Sequence, residues 1–82
     1  MNTLFVDEGI IMEMKDILRQ ERLKKNLTHQ QVADILKMER GSYTKYETGA
    51  NTPPLDKMMI LADLYKTSID YLAGRYVQNK ED

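Results

Sequence analysis

Side chains that could bind a nucleic acid are concentrated between Leu27 and Gly49, where the chain reads LTHQQVADILKMERGSYTKYETG. The segment contains two short helical patterns, and the break between them is too short for anything but a tight turn. A short second helix with arginine, threonine and lysine on its outer side has the dimensions to enter the major groove of DNA and contact base edges. The pattern is the sequence signature of a helix-turn-helix.

Other kinds of site lack the residues that they need. The chain has no cysteine, which excludes disulfides and thiolate zinc sites. His29 is the one histidine, and no serine or cysteine nucleophile pattern surrounds it. We therefore predict no catalytic residue, no metal, no cofactor and no enzymatic activity.

The charges are unevenly distributed along the chain. The formal net charge of the 82 residues is -1. Residues 15–45, however, carry eight lysines and arginines against four acidic residues, and the segments on either side are acidic. A basic middle between acidic ends is expected of a protein with one face that meets phosphate.

Apolar periodicity predicts an all-α fold, a five-helix bundle in which the second and third helices form the helix-turn-helix. We expect helices over residues 11–26, 28–36, 40–48, 55–65 and 69–73.

Residues at the predicted helix ends support these bounds. Asn26 suits a left-handed helix end, and Thr28 with Gln31 three residues later forms a capping box. Gly49 ends the third helix, and Ser68 caps the last one.

The expected core follows from the same spacing. Tyr43 and Tyr46 face inward, and Met38 fills the angle between the two helices of the motif. The apolar positions of the first helix are Ile10, Met14, Ile17, Leu18 and Leu23. Those of the fourth helix are Leu55, Met58, Met59, Leu61 or Ala62, and Leu64.

We expect the chain to divide into a helix-turn-helix DNA-binding domain over residues 13–75, an N-terminal arm over 1–12 and a flexible tail over 76–82. Leu4, Phe5 and Val6 of the arm could pack on the chain's own core or exchange with a second subunit. The apolar runs are far too short for a membrane span or a signal peptide, so we expect a cytoplasmic protein.

Residues 14–75 resemble the XRE family of helix-turn-helix domains, the phage-repressor and Cro type. The resemblance is carried by several short motifs in the right order and spacing: Leu27-Thr28, Val32-Ala33, Leu36, Tyr46-Glu47-Thr48-Gly49, Pro53-Pro54-Leu55-Asp56-Lys57, Ala62 and Ser68-Ile69-Asp70-Tyr71-Leu72-Ala73-Gly74.

The resemblance implies a role for each side of the motif. The outer residues of the third helix would contact bases: Arg40, Gly41, Thr44 and Lys45. Residues at the start of the second helix and around the end of the third would contact phosphates: Thr28, His29, Gln31, Thr48, Asn51 and Thr52. Arg22 and Glu47 would form an ion pair that holds the third helix against the first.

Three residues depart from the family pattern. Lys37 stands where glycine is common, and a left-handed conformation there would cost about 1 to 2 kcal/mol. Glu39 replaces the usual serine or threonine cap of the third helix. Gly41 weakens that helix by about 1 kcal/mol relative to alanine.

These observations together predict a regulator of transcription. We expect sequence-specific binding to double-stranded DNA, repression, and a homodimer on a palindromic operator, because one such domain covers half a typical site. The alternative is a protein-interaction module, such as an antitoxin-like subunit that holds a partner protein and binds DNA for autoregulation.

Overall fold

The computed structural model describes residues 12–74. They fold into five α-helices and the short segments that join them. The helices are α1 (Met14–Lys24), α2 (His29–Ile35), α3 (Arg40–Thr48), α4 (Leu55–Tyr65) and α5 (Ile69–Leu72). The all-α prediction is confirmed. Residues 1–11 of the predicted arm and the predicted tail lie outside the described range.

Local signals explain where most of the helices begin and end. The Thr28 side chain accepts from the Gln31 amide at 3.1 Å, and Gln31 Oε1 accepts from the Thr28 amide at 2.9 Å. The Ser68 side chain accepts from the Tyr71 amide at 3.0 Å and so caps the start of α5. Because a cap residue is not itself helical, α2 and α5 are each one or two residues shorter than predicted. Asn26, with φ 57°, is left-handed as expected.

The start of α1 differs most from the prediction. The helix begins at Met14 instead of residue 11. Glu13, its N-cap, is in extended conformation, and Met12 is not helical either, so both predicted helical residues lie outside α1. Gly74 lies beside this point: a Cβ on Gly74 would be 3.1 Å from the backbone oxygen of Met12. The two ends of the five-helix body therefore meet.

One buried cluster joins the helices, and its members come from all five: Ile17, Leu18, Val32, Ala33, Leu36, Tyr43, Tyr46, Met58, Leu61, Ala62, Tyr65 and Leu72. Tyr43 and Tyr46 face inward as predicted, and their rings meet edge to face with centroids 6.0 Å apart. Met38 is half-buried against the cluster.

Three residues that we assigned to the apolar faces are exposed. Met59 lies about 100° around the helix from the buried Met58, which takes it to the side of α4. Leu55 lies in the first turn of α4 and is 65% exposed. Leu23 lies on the opposite side of α1 from the core, because Glu21 and Arg22 occupy the inward positions. The apolar-face prediction was wrong for these three.

Two left-handed residues end the helices of the motif. Gly49 follows α3 with φ 87°, and the stem of Lys15 packs directly over it. Lys37 follows α2 with φ 58° and adopts the strained conformation expected of a residue at a glycine position. The amide of Met38 then donates to Ala33 O at 2.9 Å, which closes the turn.

None of the described helices has the length and apolar content that crossing a bilayer requires.

Candidate nucleic-acid interface

The exposed side of α3 carries the four residues predicted to contact bases. Arg40, Gly41 and Lys45 are exposed, and Thr44 is half-buried. A Cβ at Gly41 would meet no atom within 4 Å, so the space beside the helix is open there. The fold thus brings a guanidinium, an ammonium and a small polar side chain onto one face of a nine-residue helix.

The threonine hydroxyls of α3 already donate within the chain. Thr44 Oγ1 donates to Arg40 O at 2.9 Å, and Thr48 Oγ1 donates to Lys45 O at 3.2 Å. Each hydroxyl oxygen can still accept a hydrogen bond, and the Thr44 methyl is available for an apolar contact such as a thymine methyl. Thr48 also accepts from the Ala50 amide at 3.3 Å.

The predicted phosphate-contacting residues form two groups. Thr28 and Gln31 belong to the capping box, so their side chains organise the amino end of α2. Asn51 and Thr52 are exposed in the segment that follows α3, and the Asn51 amide donates to Lys45 O at 3.1 Å. The first group thus lies at the start of α2, and the second follows the end of α3.

His29 is turned toward the interior of the motif. Its Nε2 atom lies 3.2 Å from Glu47 Oε1, and its ring centroid is 6.0 Å from that of Tyr43. The side chain remains 31% exposed. His29 therefore joins α2 to α3 in addition to lying near the start of α2, a contact that the sequence did not indicate.

Glu47 is the centre of a buried polar cluster made of Arg22, His29, Tyr43 and Glu47. Arg22 Nε donates to Glu47 Oε2 at 2.8 Å, and Arg22 Nη2 donates to Glu47 Oε1 at 3.1 Å. The Tyr43 hydroxyl donates to Glu47 Oε2. The Glu47 side chain is 4% exposed and that of Arg22 10%. The structure thus joins the two residues that the resemblance paired, through the bidentate geometry that favours arginine.

The ionisation of the cluster follows from these contacts. Burial alone would raise the pKa of Glu47, but hydrogen bonds from Arg22 and Tyr43 and the charge of Arg22 outweigh burial and lower it. The hydrogen bond to Glu47 raises the pKa of Arg22. Burial, followed by the bond to Glu47, raises the pKa of Tyr43, so its hydroxyl stays protonated and able to donate. The cluster is therefore a fixed pair of opposite charges.

Arg22 also reaches the start of α2. Its Nη1 atom donates to the backbone oxygen of Leu27 at 2.9 Å. One side chain of α1 therefore holds both the carboxylate of α3 and the residue that precedes the cap of α2. The angle between the two helices of the motif is set partly from outside the motif.

A metal site is not formed by the described residues, since no group of three or more histidine, aspartate or glutamate side chains comes together in them.

Comparison with known proteins identifies the type of domain. A family model described as helix-turn-helix matches residues 18–72. The chain belongs to the helix-turn-helix family. The XRE-type resemblance inferred from the sequence motifs is confirmed.

Two relatives of this helix-turn-helix chain are named as regulators. The uncharacterized HTH-type transcriptional regulator YobD of Bacillus subtilis is 46% identical over 57 residues, which are 70% of this chain and 51% of YobD. The cryptic phage CTXphi transcriptional repressor RstR of Vibrio cholerae is 35% identical over 69 residues, which are 84% of this chain and 62% of RstR. Neither is named as an enzyme. The chain spans about half to three fifths of the length of these relatives.

A solved structure has the same fold as this helix-turn-helix domain. The P22 c2 repressor, crystallised with a synthetic operator, superposes with a TM-score of 0.74 at 17% sequence identity. The match covers 79% of this chain and 98% of the repressor.

Acid is expected to weaken this helix-turn-helix domain through Glu47. Because the folded state lowers the pKa of Glu47 below its ordinary value of 4.5, the unfolded chain binds the proton more readily. The stabilisation is complete above pH 4.5 and is lost as the pH falls through the lower, folded-state value. Urea unfolding at several pH values between 7 and 3 measures the slope of the free energy of unfolding against pH. The Glu47→Gln variant should have a shallower slope, and equal slopes would refute the role of Glu47.

Proposed function

We propose that this chain is the DNA-binding part of a transcriptional regulator that recognises a specific duplex sequence through the exposed face of α3. The observation that carries the proposal is that α3 has an exposed polar face on one side and a buried side held by the rest of the fold on the other. Arg40 and Lys45 are exposed and Thr44 is half-buried on the outer side, while Tyr43 of the same helix is buried in the core and Glu47 is bonded to Arg22 of α1. A rigid helix with outward donors is what base recognition requires.

In the complex that we propose, the two helices of the motif have different tasks. The amino end of α2, with its capping box and free backbone amides, lies against a phosphate and sets the register. The start of α3 enters the major groove. Arg40, its first residue, donates to the O6 and N7 atoms of a guanine, and Lys45 reaches a guanine or a phosphate.

We further propose that the chain represses transcription as a homodimer on a palindromic operator. The similarity to RstR, which is named as a transcriptional repressor, supports repression. A two-fold protein matches a two-fold site, and one α3 helix contacts only one half-site.

Selection of bound sequences from random duplexes, at two salt concentrations, tests the proposal. A palindromic motif should be enriched. Affinity for it should fall steeply as salt rises, because lysine and arginine side chains that bind phosphates release counterions from the DNA. Sedimentation of the protein with the selected duplex gives the number of chains bound. If no motif is enriched and binding is weak even at low salt, the chain is not a sequence-specific regulator.

His29 gives a prediction for the phosphate contacts. Replacing His29 with alanine should weaken binding to every duplex by a similar factor, about threefold to tenfold, the size of one hydrogen bond. Because phosphate contacts carry no sequence information, their loss leaves the ratio of specific to non-specific affinity unchanged, whereas loss of the bond from His29 to Glu47, which joins α2 to α3, would lower the specific affinity alone. Titration of the selected and a scrambled duplex measures both. His29→Gln, which keeps a hydrogen-bond donor, is the matched control and should bind like the wild type. A change confined to the selected duplex would contradict a phosphate contact.

A further inference from the structure

Both ends of α2 are held by a cation from another helix. At the entrance, Arg22 of α1 donates to Leu27 O at 2.9 Å. At the exit, Lys57 Nζ of α4 donates to the backbone oxygen of Leu36 at 2.8 Å. Lys57 is half-buried, and Leu36 is completely buried. The interface described above uses Arg22 but gives no role to Lys57.

The oxygen that Lys57 binds is one that a helix leaves unsatisfied. The last carbonyl groups of a helix have no partner within it, and a positive charge is favourable near that end. Leu36 is the C-cap of α2, which has only seven helical residues. The ammonium of Lys57 therefore supplies both a hydrogen bond and the right charge at the end of a short helix.

The turn that follows Leu36 needs this support. Lys37 is left-handed, with φ 58°, a conformation that is strained for a residue with a side chain. Glu39, which precedes α3, makes no side-chain cap for it. Arg40 is the first residue of α3, so any movement of the turn displaces the residue that we expect to contact a base.

We infer that Lys57 is a positioning residue for DNA recognition. Its ammonium fixes the carboxyl end of α2, and thereby the turn that orients α3 in the groove. The inference rests on the proposed function for its effect on DNA and on the Lys57–Leu36 contact for its effect on the turn.

Lys57→Met tests the inference, because methionine keeps the apolar stem and removes the donor. Lys25→Met is the control, since Lys25 is exposed at the end of α1 and its loss changes the net charge equally. At a temperature where all variants are folded, Lys57→Met should lower affinity for the selected duplex about tenfold, the size of one charge-assisted hydrogen bond. Affinity for a scrambled duplex should fall no more than in Lys25→Met. Lys57→Arg, which retains a donor, should recover most of the loss.

Hydrogen exchange keeps the two parts of the inference separate. The amides of Lys37 and Met38 close the turn, so they should exchange faster in Lys57→Met, while the Gln31 amide of the capping box should not. If selection with the wild-type protein enriches no DNA motif, the proposed function is wrong. Hydrogen exchange at Lys37 and Met38 then still tests the effect of Lys57 on the turn. Unchanged exchange at Lys37 and Met38, or an unchanged ratio of specific to non-specific affinity, would overturn the inference.

Discussion

Replacing Glu47 with alanine is expected to destabilise the domain by about 3 kcal/mol, the cost typical of removing one partner of a buried ion pair. The change leaves the Arg22 guanidinium, 10% exposed, without its carboxylate. It also leaves the buried Tyr43 hydroxyl without the acceptor that it now has. For a domain of this size, a loss of that magnitude is a large part of the total stability.

Urea unfolding followed by circular dichroism at pH 7 measures the effect. The matched control removes both charges, as Arg22→Met with Glu47→Leu. Since replacing a buried pair by apolar groups is often neutral, the double variant should be more stable than Glu47→Ala alone. Wild-type stability in Glu47→Ala would show that the pair does not support the fold.

Arg40→Ala is expected to have the largest effect on sequence recognition. A bidentate contact from arginine to guanine discriminates against other bases by about 1 to 3 kcal/mol, which is roughly tenfold to a hundredfold in affinity. Arg40 is exposed at the start of α3, where the backbone is held by the turn. Loss of the guanidinium should therefore relax the preference at one base pair in each half-site.

Repeating the selection with the Arg40→Ala protein shows which position relaxes. Arg19→Ala is the control, because Arg19 is an exposed arginine of α1 and its loss changes the charge equally. That variant should keep the wild-type motif. An Arg40→Ala motif identical to that of the wild type would assign Arg40 to the phosphate backbone, and Lys45 would then be the next candidate for the base contact.

The sequence predicted those features that depend on neighbouring residues. The capping box needs only Thr28 and Gln31, three residues apart, and the inward side of α3 follows from the spacing of Tyr43 and Tyr46. The bond from Tyr43 to Glu47 also had a local signal, because residues four apart lie on one side of a helix. Contacts of this kind are determined by helical geometry alone.

Contacts between distant residues required either a family resemblance or the fold itself. Arg22 and Glu47 are 25 residues apart, and only the resemblance paired them. Lys57 donates to the backbone oxygen of Leu36. Because every residue has a backbone oxygen, the sequence offers no particular partner from which this bond could be predicted. The sequence predicts only a phosphate contact for His29, because no local signal indicates its contact with Glu47, 18 residues away.

Hydrophobicity alone did not predict the exposure of three apolar residues, Leu23, Leu55 and Met59. Hydrophobicity indicates which residues would gain from burial, but a narrow helix–helix contact has room for only one stripe. On α1 that stripe includes Glu21 and Arg22, which have partners in the interior: Glu21 accepts from the Tyr71 hydroxyl at 3.0 Å. Polar residues with partners therefore displaced an apolar residue from the inward side.

The close approach of Gly74 to Met12 has a consequence for how the domain can be combined with others. Because the segment that enters α1 and the segment that leaves α5 are neighbours, two parts fused before α1 and after α5 would be attached at the same point of the surface. The order of the two fused parts along the chain then has little effect on their distance from the recognition helix. A short linker between these ends would also allow the chain to be opened elsewhere, as a circular permutant with the five helices in a new order.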